Sequence, residues 1–160
     1  SQTTRGTDGC SIPTHAIELK ALALAYARVA TGDGLPTPHA IAAQRLRHAI
    51  AAAPHMVAGT LRFDTAVMQR LGTRICCKVG AEGVYCAALP ERGWGVAIKM
   101  DDGNNARAVE VVMATVIEQL VTLDTSERAF MGTLSNPTMR NWNGIAVGAL
   151  QASAWLHEGL

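Results

Sequence analysis

The chain has 160 residues, a formal net charge of +1 and 49% hydrophobic residues, enough to bury a core as one domain. So even a charge balance leaves no basic footprint for nucleic acid or an anionic membrane surface, and no apolar run approaches the roughly 18 residues of a membrane-spanning helix. With only 4% aromatic residues, the core has to be built from Ala, Val, Leu, Ile and Met.

Residues 1–14 read as extended, punctuated by Gly6, Gly9 and Pro13. Thr14 stands where it can cap a helix starting near His15. Within this stretch Asp8 and Cys10 lie two apart, so in an extended segment they point the same way. A thiolate beside a carboxylate is half of a zinc site. The plainer reading is an Asx turn next to a buried thiol. Ile17, Leu19, Leu22, Leu24, Tyr26 and Val29 then mark an apolar helix to about Ala30, stopped by Gly32-Asp33-Gly34. Pro38 suits a first helical turn. Ile41, Leu46, Ala49 and Ile50 carry that second helix to Ala53, and Pro54 ends it. A short connection over 55–60 leads to a third helix, 62–71, which Gly72 closes.

Arg74 to Gly103 reads as a three-stranded meander: 75–79, 84–89 and 94–100, separated by Gly80-Ala-Glu-Gly83 and Pro90-Glu-Arg-Gly93. Pairing Val79 with Val84 sets Lys78 opposite Tyr85 and Cys77 opposite Cys86. Both faces are then apolar, as in a sheet covered on each side. Lys78 stands out as a cation among apolar neighbours in mid-strand. Desolvation there disfavours the charged form and suits a base or an anion-binding group. The alternative is a strand-end lysine that snorkels to water. Gly80 just after it leaves room for a ligand at the strand edge.

Cys10, Cys76, Cys77 and Cys86 form no Cys-x-x-Cys pair. The meander thiols read as small core hydrophobes rather than a bridge or metal site. Beyond Gly103, Asn104 or Asn105 can cap an amphipathic helix with Val109, Val112, Met113, Val116, Ile117 and Leu120 on its apolar face. Glu110, Thr115, Glu118 and Gln119 fall on its polar face. A shorter helix over 125–132 and an edge strand over 145–150 follow, and the last ten residues are expected to fray. Helices, antiparallel strands, then helices again make the class α+β. The five histidines do not cluster in sequence, and no Ser-x-x-Lys, Gly-x-Ser-x-Gly or phosphate loop is present.

Three stretches together resemble one family. They are Gly6-Thr-Asp-Gly-Cys-Ser-Ile-Pro-Thr14; Met56-Val-Ala-Gly59 with Arg62; and Lys78-Val-Gly-Ala-Glu-Gly-Val-Tyr85 followed by Gly95-Val-Ala-Ile-Lys-Met-Asp-Asp-Gly103. In order and spacing they are similar to the rhizobial-type, type II L-asparaginases, over about residues 5–121. The resemblance implies a fold similar to serine β-lactamases and hydrolysis of L-asparagine to aspartate and ammonia. It implies catalytic roles for Lys78 and Asp8. It also implies that Cys10 is one ligand of a zinc ion otherwise held by a second cysteine and a lysine.

This sequence departs from that pattern. The nucleophilic Ser-x-x-Lys, a second catalytic Ser and a Cys-x-x-Lys zinc half-site are absent from the 160 residues. The chain, 1–160, therefore resembles the C-terminal half of the enzyme as a single partial domain, inactive alone. The alternative is a non-catalytic binding domain or remnant that keeps the sheet. The polar N-terminus has no initiator Met and no secretory leader. The expectation is thus a cytoplasmic piece of a longer product, one that self-associates as a homo-oligomer through uncovered apolar surface.

Overall fold

The chain alternates α and β segments in the order the turn signals set. A computed structural model describes residues 5–158; the expected extended start at 1–4 and the final two residues of the expected frayed end lie outside them. Along the chain come β1 (Arg5–Thr7), β2 (Pro13–His15), α1 (Leu19–Thr31), α2 (Thr37–Ala52), α3 (His55–Ala58) and α4 (Phe63–Leu71). Next come β3 (Cys76–Val79), β4 (Val84–Leu89), β5 (Trp94–Lys99), α5 (Ala108–Leu120) and α6 (Thr125–Ser135). The chain continues through β6 (Thr138–Arg140), β7 (Ala146–Ala149) and α7 (Ala154–Glu158). The class is α+β, with three small antiparallel sheets: β1-β2, β3-β4-β5 and β6-β7.

The meander's register is one residue away from the expected pairing. Val79 faces Tyr85, Lys78 faces Cys86 and Cys77 faces Ala87. The Gly80 N–H closes the turn on the Val84 carbonyl at 2.8 Å, which leaves Ala81-Glu82-Gly83 as the loop. Glu82 (φ 56°) and Gly83 (φ 69°) both take left-handed backbone there. A one-residue slip exchanges a strand's two faces, so β3 is inverted against the expectation. Cys77, Val79, Tyr85, Ala87, Val96 and Ile98 share one face; Cys76, Lys78, Cys86, Ala88 and Gly95 share the other. Cys77 and Cys86 point to opposite sides and cannot meet.

Both faces are covered, as expected. The first packs on α4, α5 and α6, with Val67, Met68, Tyr85, Met113, Ile117 and Met131 at the centre of the core. The second lies under α1: Ala30 and Tyr26 pack with Cys76 and Ala88. Gly95 sits so close beneath that helix that a Cβ there would lie 2.0 Å from the Ala23 carbonyl oxygen.

Local chemistry moves several expected boundaries. Thr14 lies in β2, and α1 starts four residues past His15, behind Glu18. Pro38 does occupy the first turn of α2. The segment after Pro54 folds into α3 rather than a plain connection. Neither asparagine caps α5, whose first turn follows Arg107. Asn105 Oδ1 instead accepts the Gly83 N–H at 2.6 Å, tying down the meander's first turn. Thr115, assigned to the polar face, is buried, and its hydroxyl donates to the Val111 carbonyl at 2.9 Å. Asp124 and Glu127 form a reciprocal capping box at the start of α6, which runs past Gly132 to Ser135. The described part of the C-terminal segment is tied down rather than frayed: Leu156 packs on the core, and its carbonyl accepts Gln119 Nε2 at 3.1 Å.

The accessible surface is 10056 Å², against about 7,700 Å² for a compact monomer of this mass. Every residue of the β1-β2 and β6-β7 strands is exposed, and a lone two-stranded ribbon is marginal in water. Helix α2 buries only Ala43 while Ile41 and Leu46 face out. On the β6-β7 ribbon Trp142, Ile145 and Val147 are exposed as well.

Candidate functional site

β3 is the edge strand of its sheet, so one side of its backbone has no strand partner. Lys78 stands near the end of that edge. It is exposed, not enclosed by apolar neighbours, and its Nζ donates to the Val79 carbonyl at 2.6 Å. Beside it runs a groove of about 350 Å³ between α1, α2 and β3, walled by Tyr26, Val29, Leu46, Ile50 and Cys76. Arg47 is its second cationic lining residue, with Nε buried and unpartnered among the described residues. The groove can therefore receive an apolar body carrying an anionic group.

On the same free edge, the Val79 N–H donates to Asp64 Oδ1 at 2.9 Å. Asp64 was not singled out from the sequence. The signal was there: Asp64, Val67, Met68 and Leu71 follow i, i+3, i+4, i+7, so a carboxylate heads the buried stripe of α4. Asp64 is 1% exposed. Tyr85, beside it in the core, has its hydroxyl pushed far above the usual range, mainly by burial and further by Cys77 and Asp64.

Asp8 and Cys10 come together, though by a turn rather than an extended strand. Gly9, Cys10 and Ser11 form a three-residue hairpin loop with Ser11 at φ 69°. Cys10 Sγ contacts Asp8 Oδ2 at 3.5 Å, and both residues are exposed, so the thiol is not a buried one. No hydrogen bond or ion pair among the described residues joins this loop to Lys78. Zinc in proteins takes three or four protein ligands. The described residues contain no group of three His, Cys, Asp or Glu side chains able to hold a metal. Asp8 and Cys10 are two donors, so these residues do not fit a complete site.

The remaining thiols are free and buried. Burial raises Cys76 and Cys77 and pushes Cys86 up to about 11. All three stay protonated near neutral pH and act as core hydrophobes, as the sequence suggests. No described helix is long and apolar enough to cross a membrane.

A family model described as L-asparaginase II matches residues 1–152, a span that takes in every element from β1 to β7. A search of curated proteins finds no match.

Proposed function

The chain belongs to the L-asparaginase II family, and from that premise we propose that it serves hydrolysis of the side-chain amide of L-asparagine, with Lys78 at the reacting end of the site. The observation that carries this reading is a family match over 1–152 that includes the Lys78-Val79-Gly80 edge and the Asp8-Gly9-Cys10 turn. The nucleophile comes from outside these residues, because they hold no Ser-x-x-Lys. An attacking serine hydroxyl gives up its proton, adds to the amide carbonyl and expels ammonia. Water then releases aspartate and restores the serine. Lys78 assists proton transfer at that centre, and Asp8 borders it. Cys10 contributes one zinc ligand where the other donors are supplied from elsewhere, and the free thiols suit a reducing cytoplasm.

On this reading the chain alone is inactive. The second reading, a family member that keeps the sheet without the reaction, is favoured by the same missing Ser-x-x-Lys. The intact mass of the gene product, with ammonia release from L-asparagine, separates the two. A product carrying Ser-x-x-Lys, active and losing at least ~100-fold on Lys78→Ala, supports hydrolysis. A product without that motif and without turnover puts the second reading first.

The uncovered apolar ribbon and α2 carry a further expectation: a homo-oligomer. Sedimentation velocity on the isolated chain should give a species heavier than the monomer. Trp142→Ser with Val147→Ser should shift it back toward the monomer. A single monomeric boundary across a hundredfold concentration range would count against it.

A further inference from the structure

We propose that Asp64 is a positioning residue for Lys78: its buried carboxylate fixes the free edge of β3, and that edge in turn holds the lysine ammonium. The inference rests on the amidohydrolase reading above.

The geometry turns on Val79. Because Gly80 directs its N–H into the hairpin, to the Val84 carbonyl, the preceding residue turns both of its backbone polar groups outward. The outward N–H of Val79 donates to Asp64 Oδ1 at 2.9 Å, and its outward carbonyl accepts Lys78 Nζ at 2.6 Å. One residue's backbone therefore carries the carboxylate on its N–H and the ammonium on its carbonyl, both along the free edge. Without Asp64 the last residue of an edge strand would depend on water for its N–H, just before a three-residue loop.

The second observation is that the carboxylate is only partly satisfied. Asp64 Oδ2 is buried without a hydrogen-bond partner among the described residues, and so is the Tyr85 hydroxyl. A buried carboxylate is costly unless its oxygens are bonded. Its place in the first turn of α4 recovers part of that through the helix dipole. Packing alone calls for an apolar residue at the head of the Val67-Met68-Leu71 stripe. Among the described residues, its one well-aligned hydrogen bond is to the strand that presents Lys78, with the Tyr85 hydroxyl beside it in the core. Departures of this kind concentrate where function requires them.

The test uses two substitutions. Asp64→Asn keeps a carbonyl acceptor of the same shape; Asp64→Ala removes it. In the isotopically labelled chain, Asp64→Ala should speed hydrogen exchange at the Val79 amide at least ~10-fold while the β4 amides stay protected. Asp64→Asn should stay within ~3-fold of the parent. In the full gene product, Asp64→Ala should lower kcat about 100-fold with KM little changed, as expected for a misplaced reacting group. Asp64→Asn should restore most of it.

Unchanged exchange at Val79 in Asp64→Ala overturns the proposal. So does equal loss of protection across β4, which would make Asp64 a purely structural residue. A full gene product that needs Lys78 but keeps its kcat in Asp64→Ala also overturns it, while leaving the hydrolase reading intact. If Lys78→Ala itself leaves turnover unchanged, Lys78 is not at the reacting end and the proposal falls with it. A full gene product that releases no ammonia from L-asparagine overturns the hydrolase reading instead, and the Val79 exchange pattern alone then decides whether Asp64 holds the strand.

Discussion

Gly95→Ala should cost more stability than any other single-methyl addition to the meander. The added Cβ would lie 2.0 Å from the Ala23 carbonyl oxygen and 2.4 Å from the Ala27 amide nitrogen. Both are backbone atoms of α1, held by the helix's own hydrogen bonds, so neither can rotate away as a side chain would. Relief requires moving α1 off β5, which uncovers the Cys76-Ala88 face and its Tyr26 and Ala30 partners. Overpacking typically costs about 1–3 kcal/mol. A clash with a rigid helix belongs at or above the top of that range. For a chain of this size a loss of about 3 kcal/mol corresponds to a fall in Tm of roughly 6–12 °C. Gly148→Ala is the control: its added Cβ would meet nothing within 4 Å, so its Tm should stay within about 2 °C. Calorimetry on the two variants decides the matter. Equal melting temperatures would mean that α1 does not sit on β5.

The elements were legible where the chain announces its own punctuation. Gly72, Gly80-Ala-Glu-Gly83 and Pro90-Glu-Arg-Gly93 bracket strands that sit within a residue of their expected bounds. The register was not legible, because it depends on whether Gly80 belongs to the turn or to the pair. That choice is made by Glu82 and Gly83 both taking positive φ, which composition does not reveal. Thr115 was misread for a related reason. Periodicity assumes one buried stripe, whereas α5 also buries Val111, Ala114 and Thr115, being enclosed on more than one side. At the site, Lys78 was visible as a cation in an apolar strand. Its exposure is not set by the strand itself, since Cys76 on the same face of β3 is buried. It depends on how far the helices cover that face, a property of packing rather than of local sequence. Asp64 was overlooked because its role is a backbone contact 15 residues away.

Arg74→Met should remove about 2–3 kcal/mol, the second large loss of stability, and that loss should shrink in acid. The Arg74 guanidinium bridges three segments. It pairs with both Glu127 oxygens, one of them at 3.1 Å, donates to the Thr122 carbonyl at 2.7 Å, and reaches the Leu71 carbonyl at 3.2 Å through Nε. It thus joins the end of α4 and the entry to β3 to the capping box of α6. The side chains are 26% and 10% exposed, too enclosed for the small worth of a surface pair. Methionine keeps the stem's packing but leaves the Glu127 charge enclosed without its cation, so the expected cost is that of a broken charge-assisted pair. The hydrogen bond from Arg74, then that from the Asp124 N–H, hold the Glu127 carboxyl below its ordinary 4.5. A folded pKa below the unfolded one gives stability that is complete above about pH 4.5 and is lost as the pH falls through the lowered value. Arg74 itself is shifted upward and stays charged throughout. Urea denaturation of parent and variant should therefore differ by a constant amount from pH 6 to 8, with the gap closing below about pH 4.5. A gap that stays open to pH 3 would mean that the stabilisation comes from the carbonyl contacts to Thr122 and Leu71 rather than from the charge on Glu127.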